Sequence, residues 1–96
     1  MDALLRVLRE LQVELRASGV RHAAIFGAVA RHQATEASDV DVLVDLDPEA
    51  RVNIFEFEGI ETQLSALLNR KVDLVSRRGL KPGRHDRIEA EAVIAF

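Results

Sequence analysis

The chain has 96 residues, of which 48% are hydrophobic, 30% charged and 4% aromatic, with a formal net charge of −3. This length and balance predict a single folded domain, residues 1–96, and exclude a disordered chain. Cysteine is absent, which excludes a disulfide framework and thiolate metal sites. The net negative charge makes nucleic acid an unfavourable partner.

The first half of the chain alternates helical and strand patterns. Leucines at helical spacing predict a helix over residues 2–17 that Gly19 ends. Because charges interrupt this segment from Asp2 onwards, it does not resemble a signal peptide, and a cytoplasmic location is expected. A strand is predicted over 20–26, then a turn and short helix from Gly27 to about Arg31, and a second strand over 40–46. No apolar run approaches membrane-spanning length.

The second half predicts one more strand between two helices. Asn53 and Glu56 resemble a capping box, which would begin a helix that runs to about Leu68. Its predicted buried residues are Phe57, Ile60, Leu64, Leu67 and Leu68. A short strand is predicted over 72–75 and a last helix over 84–94. That helix either packs on the sheet or presents Val93, Ile94 and Phe96 to another chain. The element order predicts an α/β fold with a small sheet covered by helices.

Two carboxylates stand out in the second strand segment. Asp39 and Asp41 are two residues apart, so their side chains share one face and are separated by roughly 6.6–6.8 Å of rise. They can therefore reach one hard cation from the same side. The glycine turn at Gly27 offers backbone N–H groups to a phosphate. Together these features indicate a nucleotide-handling site. The alternative is a pair of solvated or capping carboxylates at the mouth of a strand.

Three segments together resemble the minimal nucleotidyltransferases, the MNT branch of the DNA polymerase β-like superfamily. The family pattern is Gly-Ser-x-x-Arg after an apolar strand, Ser-Asp-x-Asp before a second strand, and a third carboxylate on a later strand. The matching segments are residues 26–31 (FGAVAR), 38–44 (SDVDVLV) and 71–75 (KVDLV). Residues 72–82 and 87–93 also look like the family's closing segment. The resemblance implies the nucleotidyltransferase fold, a small mixed sheet flanked by helices.

The resemblance implies that three aspartates form the catalytic and metal-binding set. Asp39 and Asp41 would bind Mg²⁺, which would bridge and neutralise the phosphates of ATP. Asp73 would be the third metal ligand or the base for the incoming hydroxyl. The alternative for Asp73 is an ordinary charge at an exposed strand edge.

The resemblance also implies a nucleotide-binding loop. Gly27 would let the backbone approach the phosphates, and Ala28 occupies the position of the family serine, whose hydroxyl contacts them. Arg31 would contact phosphate or brace the loop by pairing with an acidic residue. Ser38 would cap or orient the turn at Asp39. The basic run from Arg70 to Arg87 is either a solvated surface or a rim that meets a triphosphate tail or an acidic partner.

The implied function is transfer of AMP from ATP to a hydroxyl of a partner protein. In the family that partner is an all-helical HEPN toxin, the acceptor can be a tyrosine, and the MNT protein is the antitoxin. One alternative is a module with little or no activity that neutralises its partner by occlusion. Another is a transferase acting on a small molecule or nucleic acid. With so small a core, a homo- or hetero-oligomer is expected.

Overall fold

Four strands form the sheet that carries the site in the computed structural model, which describes residues 1–35 and 38–96. The strands are β1 (Val20–Phe26), β2 (Val40–Leu46), β3 (Val72–Ser76) and β4 (Val93–Ile94), and their order in the sheet is β3-β2-β1-β4. β1 pairs antiparallel with both β2 and β4, whereas β2 pairs parallel with β3. The predicted mixed α/β sheet is therefore confirmed.

Helices flank this sheet. They are α1 (Asp2–Glu10), α2 (Gln12–Ala17), α3 (Gly27–Ala30), α4 (Ile54–Leu68) and α5 (Pro82–Glu91), with short 3₁₀ turns at Pro48–Ala50 and Arg77–Gly79. Within the described ranges, no helix combines the length and the apolar content that a bilayer crossing requires.

The core lies mainly on one face of the sheet. The alternating valines of β2 are buried there, as their period predicted, against leucines of α1, α2 and α4. A smaller cluster on the other face joins Phe26, Leu43 and Ile88. Since Ile88 belongs to α5, this cluster fixes α5 over the face of the sheet from which Asp41 also projects.

The first predicted helix is interrupted once. Leu11 has φ −89° and ψ 5° and separates α1 from α2. The buried stripe of Leu5, Leu8 and Leu15 continues across this interruption, which explains why the hydrophobic pattern did not reveal it. Gly19 follows α2 with φ +101°, as predicted for a residue that ends a helix.

Two predictions in the second half were wrong. The last helix ends at Glu91, not at residue 94, because the β-branched pair Val93 and Ile94 adds a strand to the open edge of β1. Leu67 is 51% exposed because the buried stripe of α4 runs through Ile60, Leu64 and Leu68. Leu67 is adjacent to Leu68 and therefore projects about 100° away around the helix.

The predicted capping box at the start of α4 is confirmed. The amide of Glu56 donates to Asn53 Oδ1 at 2.8 Å, and the amide of Asn53 donates to Glu56 Oε1 at 3.1 Å. We expect Asn53→Ala to lower the free energy of unfolding by about 1 kcal/mol, since it leaves a helix N–H without its acceptor. Urea unfolding measures this loss. Asn53→Ser, which keeps a side-chain oxygen, is the control, and an equal loss in both variants would contradict the capping role.

Candidate active site

The strand register places two of the predicted aspartates side by side. Asp41 on β2 is aligned with Asp73 on the parallel strand β3, so both side chains project from the same face of the sheet. In the other direction Asp41 is aligned with Phe26, the last residue of β1. The residue that follows Phe26 is Gly27, and the glycine turn therefore lies against the aspartate pair.

Gly27 and Asp41 are in direct contact. Gly27 has φ +73°, a left-handed conformation that favours glycine. A Cβ atom at this position would lie 2.2 Å from Asp41 Oδ2 and 3.1 Å from its Cγ. The glycine is thus required twice, once for the turn and once for the space that the carboxylate occupies.

A cleft of about 240 Å³ opens beside this contact. Two aspartates line it, together with arginines that lie directly after α3 and on α5. Its lining residues are Phe26, Gly27, Arg31, Asp41, Asp73, Arg84, Arg87, Ile88 and Glu91. Both carboxylates and guanidinium groups therefore meet in one open cleft, as a site for a metal-bound phosphate ligand requires.

The carboxylate of Asp41 is electrostatically unfavourable in this position. Burial raises its pKa first, and the nearby charges of Asp73 and Asp39 raise it further, while Arg31 lowers it. Desolvation and like charges both disfavour the ionised form of a carboxyl group. A cation bound between these aspartates would relieve the repulsion.

Asp39 is near enough to influence Asp41 but is not turned into the cleft. Its side chain is 47% exposed and lies 3.7 Å from Lys71 Nζ. Among the described residues, no three Asp, Glu or His side chains already form a metal-binding group. The aligned pair of Asp41 and Asp73 offers the hard oxygen ligands that Mg²⁺ prefers. Asp39 would join them by exchanging its exposed ion pair, an interaction worth at most about 1 kcal/mol.

Arg31 is tied to the last helix. Its Nη1 donates to both carboxylate oxygens of Glu91, at 3.0 and 2.9 Å, and its Nε donates to Gln33 Oε1 at 3.2 Å. Of the two roles considered for Arg31, this geometry supplies the brace, which holds α3 against α5 at the cleft. The phosphate contact stays a prediction.

Ser38 and Ala28 do not line the cleft. The Ser38 hydroxyl accepts from the amide of Thr35 at 3.0 Å, and Arg70 Nη2 donates to the carbonyls of Thr35 and Ser38 at 3.1 and 2.7 Å. These bonds hold Ser38, the residue directly before Asp39, in place. Ala28 is half-buried in α3 and supplies no hydroxyl. The nucleotide-binding roles of both residues stay predictions.

Sequence reasoning assigned no role to Glu91 or Ile88. Glu91 holds Arg31, and Ile88 seats α5 beside the aspartates. The pairing joins residues 60 positions apart, so no local periodicity reveals it. The sequence pointed to this region only through the resemblance of residues 87–93 to a family segment. That resemblance assigned no role to either residue.

A mixed sheet that aligns two carboxylates beneath a glycine turn defines the nucleotidyltransferase class of fold and site. The chain belongs to the nucleotidyltransferase domain family, whose model matches residues 3–95. The protein adenylyltransferase MntA of Thermococcus cleftensis is 39% identical over 84 residues, covering 86% of this chain and 83% of the relative. The predicted family is therefore confirmed.

Solved structures agree with this assignment. One described as a candidate minimal nucleotidyltransferase has a TM-score of 0.77 and 36% identity, covering 93% of this chain and 90% of its own. The MNT antitoxin in complex with a tri-AMPylated HEPN toxin of Shewanella oneidensis is also similar. Its TM-score is 0.69 at 15% identity, covering 96% of this chain and 71% of the matched chain. At that identity the likeness shows the fold alone.

Proposed function

We propose that this chain is the antitoxin of an MNT–HEPN pair and transfers AMP from ATP, with Mg²⁺, to a tyrosine hydroxyl of its toxin. The observation that carries the proposal is the alignment of Asp41 with Asp73 beneath Gly27. The relative named as a protein adenylyltransferase supports the reaction type. The similar complex with an AMPylated HEPN toxin supports the partner. ATP and Mg²⁺ are abundant in the cytoplasm, which is the location we propose.

The three aspartates divide the work in this proposal. Asp41 and Asp73 would hold Mg²⁺ from one face of the sheet, and Asp39, which now contacts Lys71, would be the third ligand. When bound, Mg²⁺ neutralises phosphate charge during transfer. The acceptor oxygen attacks the α-phosphorus, the bond to the β-phosphate bridging oxygen breaks, and pyrophosphate leaves. Asp73 is exposed at the cleft, so in its alternative role it would accept the hydroxyl proton instead of binding the metal.

The glycine loop holds the phosphates in this proposal. Gly27 brings the backbone next to Asp41, and Arg31, paired with Glu91, braces the loop at the cleft. Ser38, held by its bond to Thr35, positions the neighbouring Asp39. Ala28 lacks the family hydroxyl, and a lost hydrogen bond to a charged group is worth about 1.5–3 kcal/mol. We therefore propose a transferase that is slower than relatives with serine at this position.

The second candidate is an inactive module that neutralises the toxin by occlusion. The alanine at position 28 favours it, as does the ion pair that holds Asp39 outside the cleft. Several large apolar side chains are exposed, including Ile54 at 67%, Phe55 at 80% and Ile94 at 69%. Such side chains suit complex formation with or without transferase activity. We propose that the chain works as a homo- or hetero-oligomer.

Co-expression with the HEPN protein encoded beside its gene separates these candidates. We expect the intact mass of the partner to increase by one or more AMP units. The increase should disappear with the Asp39→Asn, Asp41→Asn double variant. It should persist with Asp45→Asn, which changes a carboxylate at the other end of β2, outside the cleft. An unmodified partner that is still bound and neutralised would reject the transferase and leave occlusion.

A further inference from the structure

The arginines that line the cleft differ in how closely they pair with an acidic side chain. Three arginines line it, Arg31, Arg84 and Arg87, and Glu91 lies among them. Glu91 forms two short hydrogen bonds to Arg31 Nη1, whereas its nearest approach to Arg87 Nε is 3.7 Å. The charge of Arg31 is therefore largely matched by Glu91, and Arg31 is held as part of the scaffold.

Arg84 and Arg87 are the cations left to meet a ligand. They are three residues apart on α5, so their side chains lie on one face of the helix. Arg87 is 78% exposed and shares Glu91 with Arg31. Arg84 is exposed, lines the cleft and forms no ion pair within the described ranges. Their guanidinium donors remain open to the cleft.

We infer that Arg84 and Arg87 bind the β- and γ-phosphates of the nucleotide, which depart as pyrophosphate. This rests on the proposed function. Asp41 and Asp73 would hold the cation, and with it the reacting α-phosphate, at the sheet side of the cleft. The remaining phosphates then extend towards α5, where guanidinium groups fit phosphate oxygens in bidentate geometry. With alanine at position 28, these arginines supply donors that the loop lacks.

The test is calorimetric titration of the chain with MgATP and with inorganic tripolyphosphate. AMP, which lacks the β- and γ-phosphates, is the comparison ligand. The variants are Arg84→Gln, Arg87→Gln and the double change. Arg78→Gln is the matched control, since Arg78 is an exposed arginine of the same basic run that lines a different cavity. Thermal unfolding of each variant checks that the fold is retained.

We expect about a 10-fold loss of MgATP affinity per arginine and about 100-fold for the double variant. Tripolyphosphate should lose affinity in parallel, AMP affinity should stay unchanged, and Arg78→Gln should change none of them. Equal losses for ATP and AMP, or no loss, would overturn this assignment alone. So would unchanged ATP affinity with loss of partner binding, which would place the arginines against an acidic protein surface. Absence of MgATP binding by the unchanged chain would overturn the proposed function as well.

Discussion

Replacing Asp41 by Asn should abolish most AMP transfer and yet make the metal-free protein more stable. The side chain keeps its shape but loses the charge that would bind the cation. A Lewis-acid cation contributes several kcal/mol to such a reaction, so we expect a loss of about 10³-fold in kcat/KM. The gain in stability follows because Asn removes a partly buried charge next to Asp73 and Asp39.

The stability effect has a defined dependence on pH. The pKa of Asp41 is raised in the folded chain, so the folded state holds this proton at pH values where the unfolded state has lost it. The contribution of the protonated group is complete below the unfolded pKa, and it is lost as pH rises through the folded pKa. The unchanged protein should therefore lose stability with rising pH across this window, relative to Asp41→Asn.

Thermal unfolding in the presence of a chelator at pH 4 and pH 7, together with a transfer assay, measures both effects. We expect Asp41→Asn to unfold about 2 °C or more above the unchanged chain at pH 7, with a smaller difference at pH 4. Asp45→Asn is the control, because Asp45 lies on the same strand but lines a different cavity. A lower unfolding temperature for Asp41→Asn at pH 7 would contradict the electrostatic interpretation of the site.

The elements that the sequence predicted well are those with a local physical signature. β2 has a valine at every second position from Val40 to Val44, α4 begins at a capping box, and Gly27 follows an apolar run. In each case neighbouring residues determine the conformation, so hydrophobic periodicity and turn residues are enough to predict the element. The fold class followed from these elements, and the family followed from the order of its motifs.

The features that escaped prediction depend on distant partners. Val93 and Ile94 become a strand only because the edge of β1 is available to pair with them. Glu91 acquires its role only because α5 packs over the sheet through Ile88 and meets Arg31. Asp39 shows the same limit, since spacing places it beside Asp41 but says nothing of its pairing with Lys71. Tertiary packing decides all three, and no short segment contains that information.

Gly27→Ala should be the most damaging single methyl addition at the site. The new Cβ would meet Asp41 Oδ2 at 2.2 Å, and the residue must keep φ +73°. We expect a loss of about 3 kcal/mol in the free energy of unfolding, from left-handed strain of about 1–2 kcal/mol and overpacking of about 1–3 kcal/mol. Gly59→Ala is the control, since it lies in α4 with no atom within 4 Å of its new Cβ. Gly59→Ala should raise the free energy of unfolding by about 0.5–1 kcal/mol.

A double-mutant cycle isolates the contact that this prediction depends on. In an Asp41→Ala background the carboxylate is gone, so Gly27→Ala should cost only the backbone strain, about 1–2 kcal/mol. The difference between the two backgrounds, measured by urea unfolding, is the interaction between the added methyl and the carboxylate. Equal costs in both backgrounds would show that Gly27 is needed for the turn alone. A smaller cost without Asp41 would show that the glycine turn and the carboxylate are packed as one unit, which is the arrangement that a phosphate and its cation both require.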